Sequence, residues 1–250
     1  MKKHRRRRYK RKNNIIINLF LLIFIVVFIL SLTKIIYWYL DNQKSNEVLK
    51  DIDNSIKINK NTNKYKIDFN DLKKKNSDTV AFIKVNNTNI EYPIVKSNNN
   101  DYYLNHSFDK SINNVGWIFA NYINQFDETD KNITIFGHAR RDGSMFGTLY
   151  KTLSSKWQSN INNLKILFIT EKDTYYYQVF STYKILNEDY YIKNNFKDDK
   201  EYREFLNKIK ERSNHNYNIN LNEEDKILTL STCALDDKYR IVLHAKRIIN

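Results

Sequence analysis

Eighteen consecutive residues, Ile15–Leu32, are apolar except for Asn18 and Ser31, and nine Lys or Arg crowd residues 2–12 with no acid among them. At about 1.5 Å rise per residue a helical run of this length covers about 27 Å, close to the hydrocarbon thickness of a bilayer. A buried core helix gives no reason for the cation cluster beside it. Beyond Thr33 and Lys34 come Ile35 to Leu40, with Tyr37, Trp38 and Tyr39 among them. Those aromatics suit a membrane–water interface, and Lys34 can snorkel toward the headgroups. No small-x-small cleavage site follows, so the pattern predicts an uncleaved signal-anchor over 13–40 behind a basic cytoplasmic tail over 1–12. The cations hold the N-terminus in the cytoplasm, so the expected location is the cell membrane, single-pass, with the rest of the chain extracellular.

The same cations account for most of the net charge of +14. Removing those nine from the 42 Lys and Arg leaves 33 against 28 acids, about +5. A nucleic-acid face would have to lie in that nearly balanced remainder, where no recognisable motif accompanies it, so nucleic acid is not an expected partner. One Pro, four Gly and 14% aromatic residues exclude disordered, collagen-like and repeat architectures. The single cysteine forms no internal disulfide. In an exported chain a lone thiol either pairs between molecules or reacts, and its ordinary alternative is a small buried core residue.

Residues 41–64 are polar, with Val48, Leu49, Ile52, Ile56 and Ile58 at loosely helical spacing, and read as a stalk or N-terminal helix. A short helix is expected from Asp68 to about Lys75. Strands follow at Val80–Val85, Ile90–Val95, Val115–Ala120, Ile133–Phe136, Leu164–Thr170, Tyr175–Ile185, Lys226–Thr232 and Tyr239–Ile248, rich in aromatic and β-branched residues. Tyr202, Phe205, Leu206 and Ile209 place an amphipathic helix over 198–212, between strands. The expected fold is therefore mainly β with helices (α+β): a closed barrel of about eight strands, N-terminal helices, and one helix inserted before the cysteine strand. The folded domain is expected over 65–250. The Asn-rich segments and Lys73–Lys75 read as solvated surface, and Tyr175–Tyr177 as barrel wall.

Alternation then separates faces. With Lys226–Cys233 extended, Leu228 and Leu230 point to the core while Thr229, Ser231 and Cys233 point away. In the last strand Ile241, Leu243 and Ala245 share the core face with Tyr239, and Arg240, Val242, His244 and Lys246 take the other. Ile133 and Ile135 put His138 just past their strand's end, after a Gly137 that permits a sharp exit. Three strand ends thereby bring thiol, imidazole and guanidinium to one outer wall. Pattern alone does not single out His138, because His106, His215 and His244 are rivals.

Thr229-Leu230-Ser231-Thr232-Cys233 followed by Arg240 resembles the signature of sortases. Ile135-Phe136-Gly137-His138 with Asp142-Gly143-Ser144-Met145-Phe146 resembles the histidine region of their class B. Ile90–Val95 and Asp101–His106 match further, as does the inserted helix, so the likeness runs over roughly residues 70–249. It implies Cys233 as nucleophile, His138 as acid/base and Arg240 as stabiliser of substrate or oxyanion. It also implies a substrate groove lined by Asn100, Leu104, Tyr191, Ile192 and Ser231. The chain departs from class B relatives in carrying Leu235 two places after the cysteine, with Asp236 next, so no Cys-His-Asp triad is expected.

The implied activity is that of a membrane-anchored cysteine transpeptidase. Such an enzyme cleaves a C-terminal sorting signal of the Asn-Pro-x-Thr kind in secreted proteins and passes them through a thioester to a cell-wall or pilin amine. No cofactor or metal is implied. A cysteine endopeptidase resolving the same thioester with water, and a non-catalytic anchored binding protein, are the competing readings.

Overall fold

Helix α1 (Lys2–Asp53) runs for 52 residues through the apolar segment. The computed structural model describes residues 2–59, 64–233 and 238–248; the side chains of residues 2–13 and of Cys233 lie outside that set, as do Leu235 and Asp236. Two units are distinguished, Met1–Lys44 and Ser45–Asn250. In the first, the apolar residues from Ile15 to Leu40 are all exposed, between 44% and 68%, and residues Asn14–Asp53 include a stretch long and apolar enough to cross a membrane. In the second, the last turns of α1 bury Val48 and Ile52 in the domain core.

The expectation of a stalk or helix over 41–64 is corrected past Asp53. A two-stranded antiparallel hairpin follows, β1 (Ile56–Asn59) with β2 (Lys64–Ile67). Ile56, Tyr65 and Ile67 pack on a small cluster of Phe69, Phe82 and Ile169. Helix α2 (Phe69–Lys75) starts where Asp68 accepts from the Asp71 amide at 3.0 Å. Such a cap is worth about 1 kcal/mol. Two of its lysines are not simply solvated: Lys73 pairs with Glu171, and Lys75 lies 3.3 Å from Asp51 and 3.4 Å from Asp71.

Eight further strands among the described residues form the barrel: β3 (Thr79–Val85), β4 (Glu91–Val95), β5 (Phe119–Ala120), β6 (Asn132–Gly137), β7 (Lys165–Thr170), β8 (Thr174–Leu186), β9 (Ile227–Cys233) and β10 (Tyr239–Ile248). They close in the order β10-β8-β7-β3-β4-β5-β6-β9. The β4–β5 and β6–β9 pairs are parallel and the rest antiparallel. Closure leaves no open edge, which removes the hazard of unpaired strand backbone. The interior is filled from alternate positions, among them Ala81, Ile83, Ile135, Leu228, Leu230 and Leu243. Each fully buried aliphatic side chain contributes about 1.5–3 kcal/mol.

Residues 115–118 form no ladder, although Val115–Ala120 reads as one strand. Gly116 turns with φ +65, and Trp117 is buried with its indole donating to the Pro93 carbonyl at 2.9 Å. A short α3 (Ser155–Gln158) precedes β7. Helix α4 (Asp199–Glu211) is capped by Asp198, which accepts from the Glu201 amide at 2.8 Å. It buries Tyr202, Phe205, Leu206 and Ile209 against Phe180, Tyr183, Ile227 and Val242. The outer face of β8–β10 is therefore roofed rather than solvated.

Several asparagines also depart from the surface reading. Asn132 is fully buried; its amide donates to the Tyr191 and Lys193 carbonyls at 3.0 and 2.9 Å, and its oxygen accepts from Thr229 at 2.7 Å.

Candidate active site

β6, β9 and β10 lie side by side, and their registers align three residues of interest at one end. In the parallel β6–β9 pair Gly137 stands opposite Thr232, so His138 is the residue that follows β6 and Cys233 the one that follows Thr232. In the antiparallel β9–β10 pair Cys233 stands opposite Arg240. The Thr232 hydroxyl donates to the Gly137 carbonyl, tying the two strand ends together. Directly opposed residues of neighbouring strands lie about 4.5–5.5 Å apart between Cα atoms.

His138 is half-buried, and its Nε2 donates to the Leu104 carbonyl at 2.7 Å. That carbonyl ends a tight turn, Tyr102–Leu104. The turn is held from below by Tyr103, whose hydroxyl donates to Asp78 at 2.7 Å and accepts from Asn76 at 2.8 Å. Gly116 completes the seat: a Cβ there would stand 2.8 Å from His138 Cδ2 and under 3.0 Å from the Tyr103 and Leu104 carbonyls. On the far side the His138 carbonyl accepts from the Phe146 amide at 3.0 Å.

A cleft of about 230 Å³ opens beside this row. Asn100, Leu104, Tyr191, Ile192 and Ser231 all line it, together with His138 and Arg240. Asn100 is fixed by Asn121, which accepts from its amide at 3.1 Å, and by the Tyr122 amide, which donates to its oxygen at 3.0 Å. Tyr191 and Ser231 share a hydroxyl–hydroxyl bond of 2.8 Å on the floor. Arg240 is half-buried, and its Nη1 donates to the Tyr239 carbonyl at 3.1 Å. The cleft also takes Phe119, Phe136, Asn187, Glu188 and Asp189, which the strand pattern did not identify. Gly116 was missed too, though a signal existed: all four glycines of the chain fall within residues 116–147, around His138.

The rival histidines are placed elsewhere. His244 is fully buried behind the sheet between Tyr183, 2.7 Å from Nε2, and Thr229, 2.8 Å from Nδ1. Burial pushes its pKa down to about 3, so it stays neutral and structural. His106 stacks on Tyr102 at 3.9 Å between ring centres and bonds the Tyr102 carbonyl. His215 lines a separate cleft of about 450 Å³ beside α4.

The family model of the Sortase domain matches residues 83–248. Sortase B of Listeria monocytogenes is 33% identical over 181 residues, 71% of this chain and 73% of that protein. Sortase B of Staphylococcus aureus is 32% identical over 231 residues, 89% of this chain and 93% of that protein. The crystal structure of Bacillus anthracis sortase B in complex with AAEK1 superposes with a TM-score of 0.74 at 30% identity, covering 85% of this chain and all of that one. The chain belongs to the sortase family of cysteine transpeptidases, and within it to class B. Its closed mixed barrel with helices is the sortase B fold. The family acts on substrates bearing sorting signals and on amine acceptors. Sortases are membrane-associated, and the apolar part of α1 is a candidate anchor.

Proposed function

We propose that this chain cleaves a sorting signal of the Asn-Pro-x-Thr kind and transfers the released carboxyl end to a cell-wall or pilin amine, with Cys233 as nucleophile, His138 as acid/base and Arg240 as oxyanion donor. One observation carries the reading: the only cysteine in a chain of a cysteine-transpeptidase family ends β9 opposite Arg240 and one step past the Gly137–Thr232 pair that precedes His138.

The thiolate of Cys233 adds to the threonine carbonyl carbon. Arg240 donates to the oxygen as it gains charge. The tetrahedral intermediate collapses with loss of the C–N bond, and imidazolium at His138 hands its proton to the departing amine, leaving a thioester. The acceptor amine then attacks that thioester, gives a proton to His138, and displaces the thiolate, which restores the starting state. The small cleft beside the row, with Asn100, Leu104, Tyr191, Ile192 and Ser231, supports a seat for the sorting peptide. The basic residues before the apolar segment support an N-terminus in the cytoplasm and an extracellular catalytic domain.

The test uses the full chain in detergent with labelled sorting peptides, with and without triglycine. Cleavage through a trappable thioester, with amide product only when the amine is present, is expected. Full cleavage by Cys233→Ala would falsify the nucleophile assignment, and product release indifferent to any amine would identify a hydrolase.

A further inference from the structure

The hairpin β1–β2 presents a face built of lysine. Its register sets Lys57 opposite Lys66 and Asn59 opposite Lys64. Side chains alternate along each strand, so these four residues share the outer face, and all four are exposed. Ile56, Tyr65 and Ile67 take the inner face and pack on Phe69, Phe82 and Ile169. From Asn54 to Ile67 the chain holds four lysines, Lys60 being the fourth, and no acid. Among the described residues Lys57, Lys64 and Lys66 form no ion pair, whereas Lys73, Lys75 and Lys84 each have a carboxylate partner.

Like charges set directly opposite each other destabilise a ladder, so this face costs stability until an anion covers it. The hairpin keeps its shape from the other side. The Asp68 amide donates to the Ser55 carbonyl at 2.8 Å and closes the base. The Tyr65 hydroxyl donates to Glu91 at 2.9 Å, and its ring centre lies 5.5 Å from that of Phe82. The lysines therefore stand on a fixed support.

Position in the chain points to the occupant. Helix α1 ends at Asp53, 13 residues past Leu40, about 20 Å of helical rise, and β1 begins three residues later. The lysine face is thus the first sheet surface after the apolar segment, and a tether that short makes even a weak contact with the bilayer intramolecular. Each lysine at anionic headgroups gains about fivefold in partition, so three give roughly a hundredfold. We propose that Lys57, Lys64 and Lys66 dock the hairpin on anionic lipid headgroups, a second attachment of the catalytic domain to the membrane besides its anchor. The proposal rests on the membrane reading of α1 and is independent of the sorting chemistry.

The test uses the full chain in nanodiscs of phosphatidylcholine alone or of equal parts phosphatidylcholine and phosphatidylglycerol. Entry into the discs is read by size-exclusion chromatography, and lysine reactivity by reductive methylation with peptide mass spectrometry. Lys57, Lys64 and Lys66 are expected to react roughly tenfold more slowly in the anionic discs, and high salt is expected to remove the difference. Lys156 and Lys200, both exposed, serve as references and should change little. In Lys57→Glu/Lys66→Glu, Lys64 should react alike in both kinds of disc. The wild-type comparison decides without the variant, so a folding defect in the variant does not blur it. Unchanged reactivity of the three lysines overturns the proposal, as does equal slowing of all five or protection that persists in high salt. Protection by soluble poly(glycerol phosphate) and not by anionic discs assigns the face to a wall polymer and overturns it too. Failure to enter the discs overturns the anchor reading along with the docking; entry without protection overturns the docking alone.

Discussion

The Nε2 of His138 donates to the carbonyl oxygen of Leu104 at 2.7 Å. A carbonyl only accepts, so this bond requires a proton on Nε2 and leaves Nδ1 as the nitrogen free to take or give one. Neutral His138 is therefore expected as the Nε2–H tautomer. Nitrogen-15 spectra of imidazole-labelled protein above pH 8 check it, and a protonated Nδ1 would show that the ring is held the other way.

Gly116 is a positioning residue for that ring. Its φ of +65 and the 2.8 Å approach of a hypothetical Cβ to His138 leave no space for a side chain. Gly116→Ala is expected to cost about 1–2 kcal/mol of stability and to lower kcat about 10–100-fold by shifting the imidazole. Unfolding curves and transpeptidation kinetics measured on one preparation separate the two effects. Wild-type kcat with reduced stability would leave Gly116 a purely structural residue.

His244 couples stability to acidity. Its folded pKa, about 3, lies below an unfolded value near 6.5. The unfolded chain therefore binds the proton first, and the contribution is complete above about pH 7 and lost as pH falls through 6.5 toward 3. Between pH 7 and pH 5 this residue alone is expected to remove about 2 kcal/mol, at about 1.4 kcal/mol per unit once below 6.5. Urea unfolding of wild type and His244→Gln at both pH values checks the difference; equal pH dependence in the two proteins would contradict it.

Asn132 carries the floor of the smaller cleft through its bonds to the Tyr191 and Lys193 carbonyls and to Thr229. Asn132→Ala leaves the Tyr191 and Lys193 carbonyls and the Thr229 hydroxyl without that partner and is expected to cost about 2–4 kcal/mol. The Tyr191–Ile192 turn should loosen with it and raise KM for the sorting peptide. A stability change below about 0.5 kcal/mol would mean that the turn is held by other contacts.

Arg240→Ala and Arg240→Lys are both expected to lower kcat/KM by about 10²–10³, because an ammonium does not reproduce the guanidinium fork. Activity of the Lys variant within about threefold of wild type would reduce the role to one of charge alone.

The barrel was legible where burial is one-sided. Leu228 and Leu230 against Thr229 and Ser231 announce both a strand and its inner face, and the register bears the alternation out. The β1–β2 hairpin was not, because its short, lysine-rich strands bury too little for alternation to register. Val115–Ala120 misled for the opposite reason: its apolar residues are buried by packing around a left-handed turn, which hydrophobicity does not distinguish from a ladder. The roof over His244 escaped because α4 covers a face that the text marks as polar, and Thr229 and Asn132 are polar there because they bond one another. Among the histidines, periodicity offered no choice; the family motif did.

The parallel ladder between β6 and β9 joins segments such as Asn132 and Ile227, far apart along the chain, and β10 arrives after both. Contacts that close such long loops carry an entropic cost that slows folding. A chain whose final strand has not yet docked therefore has no guanidinium beside the end of β9. The chemistry proposed for that end of the barrel therefore needs its last strand in place.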